Sequence, residues 1–334
     1  MKYCFPALIL VFLLLRAPVI ADSQVIGAAG GGWTISGTDP IEISFGGKMI
    51  TAYHPGYEAG KPYFYPIIGP TGENMTRHWP MKEGEKDEEP NDIHHRGMWY
   101  GLGRVNGFDF WHSSGDETVK DKAFGIIRHR GMTGVMIKGP TITLTTKSDW
   151  VEASNPEHRI CSDRREFTLF YREDGSLVID LVLMLNADAG DVTISGGEEG
   201  AWAVQLPPTL ALKGKGATGH ILSSEGLADG ETRGKRASWV DYFGKDRAGN
   251  PAGIAILDHP SNFRHPTWWN VRDDGLFTAN PFGQSSFEEE APANAGDHLI
   301  PNGEALKFRY RTIFHQGDPE AAGIAKAFEI FSSR

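Results

Sequence analysis

The chain has 334 residues, 40% of them apolar and 23% charged, with a formal net charge of −10. That balance excludes a disordered chain. The acidic excess, with no Lys/Arg-rich block, excludes a nucleic-acid backbone as partner, because neutralising phosphates takes a basic face.

The N-terminus reads as an export leader. Lys2 gives a positive start, "FPALILVFLLL" an apolar core too short to span a bilayer in the usual way, and Val19 and Ala21 a cleavage-like pair of small residues. Residues 1–21 are therefore expected to be a signal peptide cut after Ala21. Residues 22–334 are expected to form a single domain, periplasmic or secreted, with no stable membrane insertion after cleavage. Arg16 inside the apolar stretch keeps a retained anchor as the rival reading. Cys161 is then the only cysteine, so stability has to come from a large core and not from a disulfide.

Beyond the leader the chain reads as strands. "WTISG", "IEISFGGKMITAY", "GVMIKG" and the alternating "TITLTTK" (141–147) come first. "FTLFYREDGSLVIDLVLML" (167–185) is two strands around an Asp-Gly turn, a strong hairpin signal. "DVTISGG", "AWAVQL" and "GIAILDH" follow, and "ALKFRYRTIF" (305–314) puts Leu306, Phe308 and Tyr310 on one face. The 41 glycines and 20 prolines supply the turns that so many strands need. One helix is predicted at the C-terminus, with Asp318 as cap, Pro319 at its first position, and Ala321, Ile324, Phe328 and Phe331 on one face. The predicted class is all-β, a large twisted β-sandwich with one C-terminal helix. "KEGEKDEEPND" (82–92) reads as a solvated charged loop, and Asn74-Met-Thr matches a glycosylation sequon.

The chemistry is concentrated in four segments read as loops: 61–80, 92–111, 233–244 and 257–283, with paired acids Glu198 and Glu199 between the second and third. Imidazole titrates near neutrality, so His94, His95 and His259 are candidate acid–base groups, with Glu199 and Asp241 as carboxylate partners. Arginines, amides and acids bind hydroxyls, and indole faces stack on sugar C–H surfaces. The candidate binding residues are therefore Arg77, His78, Asp92, Arg96, Trp99, Asn106, Trp111, Trp239, Asp258, Asn262, Trp269, Arg272 and Asn280. The four segments are expected to converge on one concave face, bringing residues 77, 95 and 259 together. His95, beside Gly97 and Trp99 in alternation, is expected to matter more than His94.

These segments, closed by "FRYRTIFHQG", resemble over residues 61–316 the bacterial family labelled methane oxygenase PmoA-like, a family of largely unknown function. A membrane methane oxygenase needs several apolar spans and copper ligands, and this chain has one apolar segment, so that activity is not expected. The resemblance implies instead a galactose-mutarotase-like supersandwich, a fold of sugar epimerases, lyases and hydrolases that use histidine and carboxylate pairs on a concave sheet. The expected function is an exported carbohydrate-active enzyme of hydrolase, lyase or epimerase type with a small carbohydrate as partner. A non-catalytic carbohydrate-binding or sensing protein and a metal-dependent oxidoreductase are the alternatives. No cofactor and no metal ligand set is assigned. A divalent metal held by His94 or His95, His259 and a carboxylate remains open, although no His-x-His or His-x-x-x-His spacing recurs. The sequence does not set the oligomeric state.

Overall fold

A computed structural model describes residues 26–27, 32–112 and 123–334. The expected leader lies outside them. In chain order the strands are β1 (Ile26–Gly27), β2 (Trp33–Ser36), β3 (Ile41–Phe45), β4 (Lys48–His54), β5 (Tyr63–Ile67), β6 (Met98–Val105), β7 (Gly125–Lys138), β8 (Thr141–Glu152), β9 (Arg159–Tyr171) and β10 (Leu177–Asn186). They continue as β11 (Val192–Gln205), β12 (His220–Ser223), β13 (Arg236–Ala237), β14 (Trp239–Lys245), β15 (Pro251–Asp258), β16 (Thr267–Val271), β17 (Leu276–Asn280), β18 (His298–Ile300) and β19 (Ala305–Gln316). One sheet runs β1-β2-β3-β4-β5-β6-β11-β17-β16-β13, with β18 added on β11; the other runs β12-β14-β15-β19-β10-β9-β8-β7.

The two sheets face each other across one apolar core, as a sandwich requires. Tyr53 and Phe64 of the first sheet pack on Phe167 of the second, and Tyr100 packs on Trp150 and Phe308. The Trp202 indole N–H crosses the gap to the Thr312 hydroxyl at 2.9 Å. The predicted hairpin forms: β9 and β10 pair antiparallel, Tyr171 opposite Leu177, around Asp174 and Gly175. Along β10, every second residue from Leu177 to Leu185 is buried.

Helix α1 (Gln284–Phe287) is a single turn that no sequence signal announced. The C-terminal helix α2 (Ile324–Ser332) is shorter than predicted. Asp318 does cap a turn, its Oδ1 accepting the Ala321 N–H at 2.8 Å. Gly323, at φ +60°, separates that turn from the helix, so Ala321 stays exposed while Ile324, Ala327 and Phe331 are buried on the outer face of the second sheet. The sequon does not survive folding as a glycan acceptor. Asn74 is buried, and its side chain accepts from the Ile67 and Thr76 N–H groups and donates to the Thr76 carbonyl.

One charged pair sits inside the core. Arg165 and Asp163 are both buried, joined at 2.6 Å, and Asp163 also accepts the Trp150 indole N–H at 2.7 Å. Removing one partner strands the other away from water. Asp163→Ala is expected to lower unfolding free energy by about 3–5 kcal/mol in denaturant titration, and the apolar double replacement Asp163→Leu/Arg165→Met to recover much of that. A double variant no more stable than the single one would contradict this reading.

Candidate active site

The site is built on β6 and β11, neighbours in the first sheet. Gly97 ends the approach to β6 in the left-handed region, φ +55°, and a Cβ there would fall 2.0 Å from the Phe64 carbonyl oxygen, so only glycine fits. Before it, residues 92–95 turn instead of running extended. Asp92 stands at φ +44°, and the His95 N–H donates to the Asp92 carbonyl at 3.0 Å. In an extended chain neighbouring side chains point to opposite faces. The turn brings both His94 and His95 to one cavity, their ring centroids 4.2 Å apart. His95 stacks over Trp99 and meets Trp111 edge-on.

Arg77 holds that turn. Its guanidinium donates to the Asn91 side chain at 2.8 Å, to the Asp92 carbonyl at 2.9 Å and to the His95 carbonyl at 3.3 Å. Arg77 is thus a positioning residue, with its donors committed to the protein. Lys61, also buried, donates its ammonium to the Trp111 carbonyl.

The opposite wall comes from a bulge in β11. Ser195 pairs with Arg104 and Gly200 with Leu102, so residues 196–199 stand opposite the single residue Gly103. Such bulges turn side chains out of the ladder. Asn280 fixes this one, its amide donating to the carbonyls of Gly197 and Glu198 at 2.9 and 3.0 Å. Gly103 leaves room for it: a Cβ there would sit 3.4 Å from the Glu199 side chain. Glu198 is neutralised by Arg233, whereas Glu199 has no ion-pair partner among the described residues.

The result is a cavity of about 120 Å³ with Asp92, His94, His95, Trp111 and His112 on one side and Glu198, Glu199, Asn270 and Arg272 on the other. Burial, reinforced by His94, Arg77, Arg272 and Lys61, holds the His95 imidazole well below its ordinary pKa, so it stands neutral. His112 has an orienting carboxylate: its Nδ1 lies 2.9 Å from Asp109 Oδ2, while Asp109 Oδ1 accepts the N–H groups of Trp111 and His112. A depression of about 430 Å³ adjoins this cavity, lined by Arg77, Asn91, Lys213 and Asp274. Arg272 stands between the two, 2.6 Å from Asp274 and 3.8 Å from Asp92.

Several residues singled out in the sequence are elsewhere, because the third and fourth segments are largely strand. "TWWNV" and "LFTAN" are buried throughout as β16 and β17, which is why they show no alternation. Asp241 lies inside β14, buried against His315 at 3.0 Å. His259 contacts Ser261 and Arg309 and meets Phe331 of α2 edge-on, away from the cavity lining. Asp258 ties down Asn262, His265 and the Thr267 N–H, and Asn262 also bonds the Arg309 backbone, so both serve the loop. Residues 77 and 95 meet as expected; 259 does not join them. Trp239 packs with the α2 cluster, and Trp269 is core, its indole N–H on the Ala237 carbonyl. Trp99 forms the floor under His95. Arg96 leans over Tyr63, and His78 bonds Tyr65. Asn106 makes a turn with Asp191 and Thr193. The charged loop is not simply solvated, since Asp87 and Glu88 both pair with Arg247. Sequence reasoning missed His112, Asp109 and Asn270. Asp-x-x-His in "DFWH" was the available signal for the first two.

Residues 40–329 match the model of a family of unknown function (DUF6807). The PmoA-like designation is not part of that description. No curated protein matches. Among solved structures, the chain is similar to a GalM/aldose epimerase homologue from C. elegans, at 9% identity and a TM-score of 0.32, covering 89% of this chain and 100% of that one. It is also similar to a 4-alpha-glucanotransferase from Thermococcus litoralis, at 9% identity and a TM-score of 0.28, covering 88% and 39%. A third is an amine oxidase from Aspergillus nidulans, at 10% identity and a TM-score of 0.22, covering 92% and 56%. At these scores none of the three assigns an activity. No helix among the described residues is long and apolar enough to cross a membrane.

His259 carries a pH prediction. Burial first, then Arg309, His265 and Lys307, push its pKa down to about 4. A depressed imidazole contributes stability at neutral pH that is lost as pH falls from the ordinary 6.5 toward 4, because the unfolded chain takes up the proton first. His259→Gln is expected to flatten the fall in melting temperature across that window, in part only, since burial also lowers His54 and His129. An unchanged profile would contradict it.

Proposed function

The chain belongs to the DUF6807 family, whose function is unknown, and we propose, from its own residues, that it is an acid–base enzyme acting on a carbohydrate. The observation that carries this reading is the Asp109–His112 pair facing Glu199 across one cavity. Asp109 orients the His112 imidazole through Nδ1, the arrangement in which a carboxylate fixes the tautomer of a base. Glu199, unpaired by any cation among the described residues, serves as the second proton-handling group. Epimerase, lyase and hydrolase chemistry at a sugar carbon all require such a pair.

The substrate class follows from the lining. Asn270, Arg272 and Asp92 offer donors and acceptors for hydroxyls, and Trp111 offers an apolar face. A cavity of about 120 Å³ takes only the reacting part of a sugar, and the adjoining depression of about 430 Å³ takes the rest. On this reading the protein works outside the cytoplasm, where its expected leader would send it.

The test is turnover of a panel of mono- and oligosaccharides followed by NMR. His112→Ala and Glu199→Gln are each expected to slow turnover by about a hundredfold or more, and Asn106→Ala to leave it unchanged. Sugar that binds but is never transformed by the wild-type protein would make this a binding protein instead.

A further inference from the structure

The geometry points to a divalent transition-metal site formed by Asp92, His94 and His95. One carboxylate oxygen and one nitrogen from each imidazole lie within 4.8 Å of one another, the only such group of His, Cys, Asp and Glu among the described residues. A tetrahedral ion with bonds of about 2.1 Å holds its ligands about 3.4 Å apart. Closing the trio onto an ion therefore takes side-chain movements of about an ångström, with the backbone already fixed by Arg77 at both ends of the turn.

Three further observations favour an ion over a hydrogen-bond network. His95 Nδ1 is buried with no hydrogen-bond partner, and Asp92 Oδ2, at 3.8 Å, is too far to be one. Asn270, also buried and lining the same cavity, leaves its Oδ1 without a partner. Buried orphans of this kind call for an ion or water that completes them. The nearby cations have closer partners than Asp92. Arg272 binds Asp274 at 2.6 Å and stands 3.8 Å from Asp92, and Lys61 donates to the Trp111 carbonyl. Asp92 is thus held only at that longer distance, and Glu199 lines the same cavity as a second carboxylate.

The ligand set chooses the ion. Two imidazoles and one carboxylate suit zinc, manganese(II) or iron(II); calcium and magnesium prefer oxygen alone. Three protein ligands leave positions open, and a cavity of about 120 Å³ has room for water or a substrate oxygen on them. What the ion does there rests on the proposed function: it polarises a substrate oxygen while His112 moves the proton.

The experiment uses the full chain, stripped with chelator and titrated with Zn²⁺ by calorimetry, then with Co²⁺ read by its visible absorption. One equivalent per chain is expected to bind. His94→Ala and His95→Gln should each weaken Zn²⁺ binding by about a hundredfold or more, and Asp92→Asn by about tenfold or more. The exposed His220→Ala should bind like wild type, and Ca²⁺ should not compete. Thermal melts identify any variant that has lost its fold, and Asp92, partly exposed, is the safest of the three to change. Absence of stoichiometric binding by the wild-type chain, or equal affinity in folded Asp92→Asn and His94→Ala proteins, overturns the site. Absence of stoichiometric Zn²⁺ binding in a protein that still turns over carbohydrate overturns the site while leaving the acid–base reading intact. Stoichiometric Zn²⁺ binding lost in the variants, with no sugar ever turned over, upholds the site and defeats that reading.

Discussion

The Arg77 guanidinium, shared between the Asn91 side chain and the carbonyls of Asp92 and His95, is the contact on which the site depends. Charge-assisted bonds of this kind are stronger than neutral ones, and a planar fork with fixed donors selects one backbone path. The path selected is a tight turn, and without it His94 and His95 would face opposite ways. Gly97 completes the constraint, since the close approach to Phe64 that starts β6 tolerates no Cβ. A local backbone arrangement, written in one arginine and one glycine, thus decides where three ionisable side chains go.

The second wall is made by a different device in the adjacent strand. β11 pairs with β6 on both sides of residues 196–199 and lets those four residues loop outward opposite Gly103. Asn280 on β17 anchors the loop from the other side. Both walls therefore hang on three neighbouring strands of one sheet, themselves fixed by the aromatic core between the sheets. Rigid strands carrying short irregular segments are well suited to hold groups at separations of a few ångströms while the irregular parts supply the chemistry.

Much of the fold was legible because burial leaves a period. β10 alternates from Ile179 onward, and the Asp-Gly turn marks its hairpin with β9. β16 and β17 read as loop in the sequence because strands buried on both faces have no alternation, and Asn280 reads there as site chemistry. The site was half legible. The density of His, Asp and Trp in 92–111 did mark the cavity. The same residue types misled at Asp241, Asp258, His259 and Asn262, where acids and imidazoles satisfy one another or hold a loop. Composition cannot separate a histidine that closes a loop from one that faces a cavity, because both need a polar partner. His112 was passed over since it stands just beyond the crowded stretch; its Asp-x-x-His spacing becomes informative only once the turn at Asp109 is seen.

Whether β6 and β11 present one reactive cavity to a carbohydrate is decided by a crystal soaked with mixed mono- and oligosaccharides. Sugar density is expected between His112 and Glu199, with a hydroxyl beside the His112 ring and the remainder running past Arg272 toward Asp274. Density seated instead in the apolar pocket beside Tyr57 and Met132, with the cavity between His112 and Glu199 holding none, would contradict it.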